Sequence, residues 1–202
     1  MPSYSPTIVA ANASKVGDPI LLTDFPDTIA MKPYAIDTCG VAFSPTTFGC
    51  ISPNDVIREI VYGTDDRMLI IDVRSKNDSS NAHDARQRFK FRGAYFFPSE
   101  NAREESTKLF DNLPQDLASR IMRAEYVVFH CRYCNDRSPV FAANWAKKVK
   151  TALTAKDPVF KNYRADQKIC LMHPGFRTFS TGEQLGQVDM NPFATGNFVS
   201  FA

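Results

Sequence analysis

The segment from Glu125 to Leu153 constrains the fold more than any other part of the chain, because it joins an apolar strand, a polar loop and an amphipathic helix. The run EYVVFH is short and unbroken in its apolar character, which is typical of strands buried in parallel sheets. After the loop CRYCNDR, the segment SPVFAANWAKKVKTAL places Phe141, Trp145 and Val149 four residues apart with lysines opposite, as in an amphipathic helix. A strand that leads through a loop into a helix predicts a crossover unit of an α/β domain.

The rest of the chain repeats this alternation of strands and helices. Helices are predicted in SPNDVIREIVYG (52–63) and LPQDLASRIMRA (113–124), and strands in RMLIIDV (67–73), GAYFFP (93–98) and KICLM (168–172). We therefore predict a central, mainly parallel sheet with helices on both faces. Residues 1–50 show no sustained period and are predicted to form an irregular N-terminal extension, followed by a domain over 51–186 and a tail over 187–202.

Composition narrows the function classes. An apolar share of 44% supports a packed core, and a net charge of +2 without a dominant basic block argues against a nucleic-acid or membrane-surface binder. No apolar run approaches the ~18 residues that a transmembrane helix needs. The five cysteines have no regular spacing, which predicts free thiols and not a disulfide framework. The N-terminus shows no apolar leader, so we expect a cytoplasmic or nuclear protein. The sequence gives no indication of the oligomeric state.

The loop FHCRYCNDRSP (129–139) concentrates the reactive residues and allows several interpretations. Zinc would use the pair Cys131 and Cys134, but a structural zinc site normally needs a second pair, so no metal or other cofactor is predicted. A thioredoxin-like dithiol oxidoreductase also carries C-x-x-C at a helix N-terminus, although its motif normally comes earlier in the chain. A turn that holds cysteines only for packing remains possible, yet two arginines and an aspartate have no packing reason to be there.

An oxyanion site uses more of the loop residues. Backbone N–H groups of a loop between a strand and a helix N-terminus can converge on one tetrahedral anion, and Arg137 adds a planar fork for its oxygens. Cys131 is the predicted nucleophile, favoured as a thiolate by the helix dipole and the arginines, and Asp136 is the predicted proton donor to the leaving group. His130 is predicted to hold the loop carbonyls. The remaining predicted anion-loop residues are Arg132, Tyr133, Cys134, Asn135 and Ser138.

The order of MLIIDVRS, RGAYFFP, VVFHC and LMHPGF resembles the rhodanese superfamily over about residues 51–185. The spacing His130-Cys131-x5-Arg137 is similar to that of the M-phase inducer phosphatases and the eukaryotic arsenate reductases, whose active loop is longer than that of sulfurtransferase rhodaneses. The resemblance implies a rhodanese-like fold, a Cys131 nucleophile and an Arg137 anion clamp. It also implies a structural ion pair between Asp72 and Arg74.

The predicted function is therefore a cysteine-dependent phosphatase or arsenate reductase, acting on a phosphorylated protein or a small oxyanion. Glutathione or glutaredoxin would be the reductant for the arsenate reaction. The alternatives are a persulfide-carrying sulfurtransferase, the dithiol oxidoreductase, and a non-catalytic rhodanese-like binding module. Val73 replaces the cysteine with which those phosphatases protect their nucleophile, so Cys134 becomes a candidate resolving thiol.

Overall fold

A six-stranded sheet forms the centre of the protein. The computed structural model describes residues 20–21, 49–51, 53–62, 67–82, 85–177, 179 and 198–201. The strands of the sheet are β1 (Ile20–Leu21), β2 (Gly49–Ile51), β3 (Met68–Asp72), β5 (Tyr95–Phe96), β6 (Tyr126–His130) and β7 (Lys168–Met172). Their order is β1-β7-β6-β3-β5, with β2 also paired to β7. All of these pairings are parallel except that of β1 with β7.

Helices cover both faces of this sheet. They are α1 (Pro53–Tyr62), α2 (Ala102–Asp111), α3 (Gln115–Arg123) and α4 (Arg137–Thr154), with short 3-10 helices at Ala85–Arg88 and Pro158–Phe160. Two further strands, β4 (Phe89–Phe91) and β8 (Phe198–Ser200), form a separate antiparallel pair. Within the described part of the chain, no helix has the length and apolarity needed to cross a membrane.

The central strands divide the core into two apolar clusters because their side chains alternate between faces. In β6, Val127 and Phe129 pack with α2, α3 and α4, whereas Val128 packs with α1 and the β4–β8 pair. All five residues of β6 are buried, as expected for a strand covered on both faces. The predicted α/β architecture with a mainly parallel sheet is thus present in the structure.

Some elements were not predicted from the sequence. Helix α2 lies in a segment for which no helix was predicted, although its buried residues Ser106, Leu109 and Phe110 have the three- and four-residue spacing of a helix face. Strands β1 and β8 lie within the segments predicted as extension and tail, where they pair with β7 and β4. Each of the two has at most three residues, too few for a periodic signal.

Asp72 and Arg74 form a fully buried ion pair at the carboxyl end of β3. Arg74 Nε donates to both Asp72 oxygens, at 2.9 and 3.1 Å, and Nη2 donates to Oδ2 at 2.6 Å. The other guanidinium hydrogens reach the carbonyls of Gln87 at 2.9 Å and Phe89 at 2.7 Å. Burial alone would raise the pKa of Asp72, but the charge and hydrogen bonds of Arg74 lower it below its ordinary value. The two charges are thus removed from water but hydrogen-bonded to each other and to backbone carbonyls. Such hydrogen bonds offset the desolvation cost of a buried ion pair.

His130 lies beside this pair as a packing group. Its ring stacks on Phe176 and meets the edge of Phe91, each with 5.4 Å between ring centroids. Among the described residues neither ring nitrogen makes a hydrogen bond of normal geometry, and Nε2 lies 3.8 Å from Asp72 Oδ1. A contact with the backbone of Cys131 acts on the imidazole as a weak hydrogen bond, so the role of holding loop carbonyls stays a prediction beside this packing role. Burial lowers the pKa of His130 to about 4.

This buried imidazole predicts a loss of stability in acid. Below the ordinary His pKa of ~6.5, the unfolded chain binds a proton that folded His130 does not take up until about pH 4. Stability should fall by about 3 kcal/mol across that window from this residue alone. His130→Phe keeps the ring packing and removes the titration, so its urea-unfolding free energy should depend less on pH between 7 and 4.5. Equal pH dependence in the two proteins would contradict this assignment.

Candidate anion-binding site

The loop from Cys131 to Arg137 lies at the middle of the sheet's carboxyl edge. It leaves β6, which runs between β3 and β7, and enters α4 at Arg137. Asp136 is the N-cap of α4, and its Oδ1 accepts the backbone N–H of Arg137. Ligands of parallel sheets bind at this edge, where helix N-termini direct their N–H groups toward the ligand.

The Cys131 thiol is buried and surrounded by polar atoms. Its side chain is 1% exposed, and the backbone N–H of Cys134 donates to Sγ over 3.2 Å. The Ser138 hydroxyl lies 3.3 Å from Sγ, and the thiol donates a hydrogen bond to Asp136 Oδ1 at 3.5 Å. An N–H donor, a hydroxyl and a carboxylate therefore surround this sulfur.

Cys134 also faces into the loop. It is 1% exposed and adopts a left-handed backbone conformation with φ of 58°, which is uncommon for a residue other than glycine. Its Sγ accepts a hydrogen bond from the Ser138 hydroxyl at 3.5 Å, so one hydroxyl contacts both loop sulfurs. Of the other predicted loop residues, Asn135 is half-buried and Tyr133 is 40% exposed.

The two loop arginines converge on a carboxylate that the sequence did not identify. Arg132 Nη1 donates to Asp78 Oδ1 at 2.9 Å, and Arg137 Nη2 donates to Asp78 Oδ2. Arg137 also reaches the carbonyl of Ser99, and its Nε lies 3.5 Å from Asp136 Oδ2. The only available signal for Asp78 was its place in a loop that follows β3, since loops after neighbouring parallel strands meet at one edge.

Ionisation equilibria reflect this cluster of charges. Burial alone would raise the pKa of Asp78, but hydrogen bonds from Arg137 and Arg132 lower it below its ordinary value. Burial alone would lower the pKa of Arg137, but the negative charges of Cys131, Asp78 and Asp136 raise it. Both groups therefore remain charged at neutral pH.

The segment after β7 holds the loop from outside. Phe176 N–H donates to the carbonyl of Cys131 at 3.0 Å, and Arg177 N–H donates to that of Arg132 at 2.9 Å. Gly175 has φ of 96°, and a Cβ placed there would lie 2.5 Å from the Arg132 oxygen. Beyond it, the Arg177 and Arg132 guanidinium groups lie 5.2 and 5.1 Å from the ring centre of Tyr133.

The described part of the chain contains no group of three or more His, Cys, Asp or Glu side chains that could hold a metal ion. Cys170 lies in the apolar cluster on the α1 face, whereas Cys131 and Cys134 belong to the other cluster. The structure therefore does not bring Cys170 to the loop pair.

No model of a known protein family matches the chain, and no curated protein is detectably similar to it. Among solved structures it is similar to the As-Sb reductase from Leishmania major, with 18% identity and a TM-score of 0.45, over 74% of this chain and 90% of that one. It is also similar to Saccharomyces cerevisiae Ygr203w, a homolog of single-domain rhodanese and the Cdc25 phosphatase catalytic domain. There the identity is 14% and the TM-score 0.41, over 65% of this chain and 79% of that one.

The close approach of Gly175 to the loop predicts that a single methyl group there disturbs the site. Gly175→Ala would combine a strained φ with overlap onto the backbone oxygen of Arg132, so we expect a loss of more than ~2 kcal/mol of unfolding free energy. The reactivity of Cys131 toward iodoacetamide should change as well.

Gly93 is the matched control, because its φ is 76° but a Cβ there meets nothing within 4 Å. Gly93→Ala should cost only ~1–2 kcal/mol, for the backbone conformation alone, and leave Cys131 reactivity unchanged. Similar effects of the two substitutions, measured by urea unfolding and peptide mapping of the alkylated thiol, would contradict the close contact.

Proposed function

We propose that this protein is a rhodanese-like enzyme that transfers a group from a tetrahedral oxyanion to Cys131, as a phosphatase or an arsenate reductase. The observation that carries the proposal is the environment of one sulfur atom. Cys131 Sγ is enclosed by a helix-start loop, contacts an N–H and a hydroxyl, and has a carboxylate at 3.5 Å to receive its proton. Two guanidinium groups of the same loop, which here bind the Asp78 carboxylate, are of the type that binds oxyanion oxygens.

In the phosphatase reaction, the Cys131 proton passes to Asp136 and the thiolate attacks phosphorus opposite the leaving oxygen. The S–P bond forms as the P–O ester bond breaks, and Asp136 returns the proton to the leaving alkoxide or phenoxide. Arg137, with Arg132, neutralises the oxygens of the transition state. Water then cleaves the phosphocysteine to release phosphate and restore the thiol.

In the arsenate reaction, the same thiolate displaces water from arsenate to form an arseno-cysteine. A second thiol, from glutathione, glutaredoxin or Cys134, then attacks the sulfur of the arseno-cysteine. The S–S bond forms as the S–As bond breaks, and the electron pair of that bond reduces As(V) to As(III), which leaves as arsenite. A further glutathione or glutaredoxin thiol reduces the disulfide and restores Cys131. A cytoplasmic or nuclear location would provide such reductants and phosphorylated proteins.

A panel of three substrates distinguishes this proposal from its alternatives. The purified protein should turn over an aryl phosphate, or arsenate in the presence of glutathione. Turnover of thiosulfate with cyanide alone would instead identify a sulfurtransferase. Inactivity toward all three substrates would favour the non-catalytic binding module, and disulfide exchange without turnover of any of them would favour the dithiol oxidoreductase.

Arg137→Lys should abolish most of the activity while the fold survives. Lysine keeps the positive charge but loses the planar fork, so kcat/KM should fall by roughly 100-fold or more. Arg132→Ala should have a smaller effect, because its side chain is twice as exposed as that of Arg137, at 34% against 17%. Arg103→Lys on the exposed face of α2 is the control. Equal losses at positions 132 and 137 would show that the clamp is misassigned.

Cys134 should protect the nucleophile against oxidation. A sulfenic acid formed on Cys131 by mild peroxide can condense with Cys134, losing water and giving a disulfide that thiols reduce. Mass spectrometry should then find a reversible 131–134 disulfide in the wild type, while Cys134→Ser proceeds to sulfinic acid and loses activity irreversibly. If both proteins reach sulfinic acid at the same rate, Cys134 has no resolving role.

A further inference from the structure

Asp78 occupies the guanidinium groups that an oxyanion would be expected to use. Each oxygen of its carboxylate accepts a hydrogen bond from a different guanidinium, Oδ1 from Arg132 and Oδ2 from Arg137. A bound phosphate or arsenate would present oxygens to the same two forks, since planar guanidinium groups bind carboxylates and phosphates in the same way. The carboxylate and a substrate anion therefore compete for the same donors.

The carboxylate is held in place by a turn of its own. Asp78 N–H donates to the carbonyl and the hydroxyl of Ser75, at 3.2 and 3.1 Å, and Ser79 Oγ donates back to the Ser75 carbonyl. These bonds use the backbone of Asp78, while its carboxylate also takes a hydrogen bond from the Ser75 side chain. Rotation about χ1 would thus break that bond and release both arginines, and it would leave the backbone bonds of the turn intact.

The release of Arg132 and Arg137 by Asp78 would change the net charge that an incoming anion meets. With Asp78 in place, the positive charges of Arg132 and Arg137 are matched by the Asp78 carboxylate and by the single negative charge that Asp136 and Cys131 carry between them, since one proton passes from the thiol to Asp136 in the proposed reaction. An incoming dianion then meets no net positive charge. Withdrawal of Asp78 leaves one guanidinium charge uncompensated in a partly buried site, where charges interact more strongly than in water.

We infer that Asp78 is an internal mimic of the anion, which occupies Arg132 and Arg137 in the resting protein and must swing away before an oxyanion binds. The inference rests on the proposed function for the class of anion. It makes Asp78 a determinant of specificity: free tetrahedral dianions bind weakly, and a good substrate compensates for displacing Asp78 by contacts beyond its oxyanion. The competing interpretation, that Asp78 positions the arginines for binding, makes the opposite prediction for anion affinity.

Asp78→Asn separates these two roles, because the amide keeps the size of the side chain and removes its charge. The measurement is the protection of Cys131 from the neutral reagent iodoacetamide by increasing arsenate at constant ionic strength, followed by peptide mapping. We expect the half-protecting arsenate concentration to fall by roughly tenfold or more in the variant. Asp111→Asn removes an exposed carboxylate from α2 and should leave this concentration unchanged.

Every other result counts against the inference. A higher half-protecting concentration in Asp78→Asn would identify a positioning residue, and an unchanged one, or no protection of the variant, would show that Asp78 does not compete. Asp78→Ser, which shortens the side chain, repeats the test if the asparagine variant does not fold. Protection that follows the expected pattern in a protein inactive toward all three substrates would overturn the proposed reaction and leave the anion mimic standing.

Discussion

The buried pair of Asp72 and Arg74 is the interaction on which the geometry of the loop depends. Its guanidinium group lies 3.7 Å from the ring centre of Phe176, the residue whose N–H holds the carbonyl of Cys131. The same group reaches the carbonyls of Gln87 and Phe89, which precede and begin β4. One ion pair therefore connects the end of the central strand β3, the β4–β8 pair, and Phe176, whose N–H binds the carbonyl of Cys131. The desolvation cost of both charges is offset only while all of these partners remain in place.

The loop itself is a balance of opposing charges. Arg132 and Arg137 bring positive charge to it, and Asp78 and Asp136 bring negative charge. In the proposed reaction, Asp78 would compete with the product for the same two guanidinium groups. Asp136 combines two roles that are normally separate, since the oxygen that caps α4 also lies within reach of the Cys131 thiol.

The sequence predicted those parts of the fold whose pattern is local. The apolar runs around Val128 and Ile70 identify buried strands, and the four-residue period through Trp145 identifies α4, because each pattern lies within one element. The adjacency of Cys131 and Arg137 in one loop followed from the same segment. Asp78 could not be predicted in this way, because its arginine partners lie 54 and 59 residues away in the sequence. An ion pair between such distant residues produces no periodic pattern in the sequence.

Strand β8 has a consequence for how this protein is handled in the laboratory. Phe198 packs against Phe91 of β4 with 5.0 Å between ring centroids, and the N–H of Phe201 donates to the carbonyl of Arg88 at 3.0 Å. Residues 198–201 thus close over the strand whose first carbonyl accepts from Arg74. A purification tag or a truncation at these residues would not be a silent change at the periphery. It would disturb contacts that lead through β4, Arg74 and Phe176 to the Cys131 carbonyl.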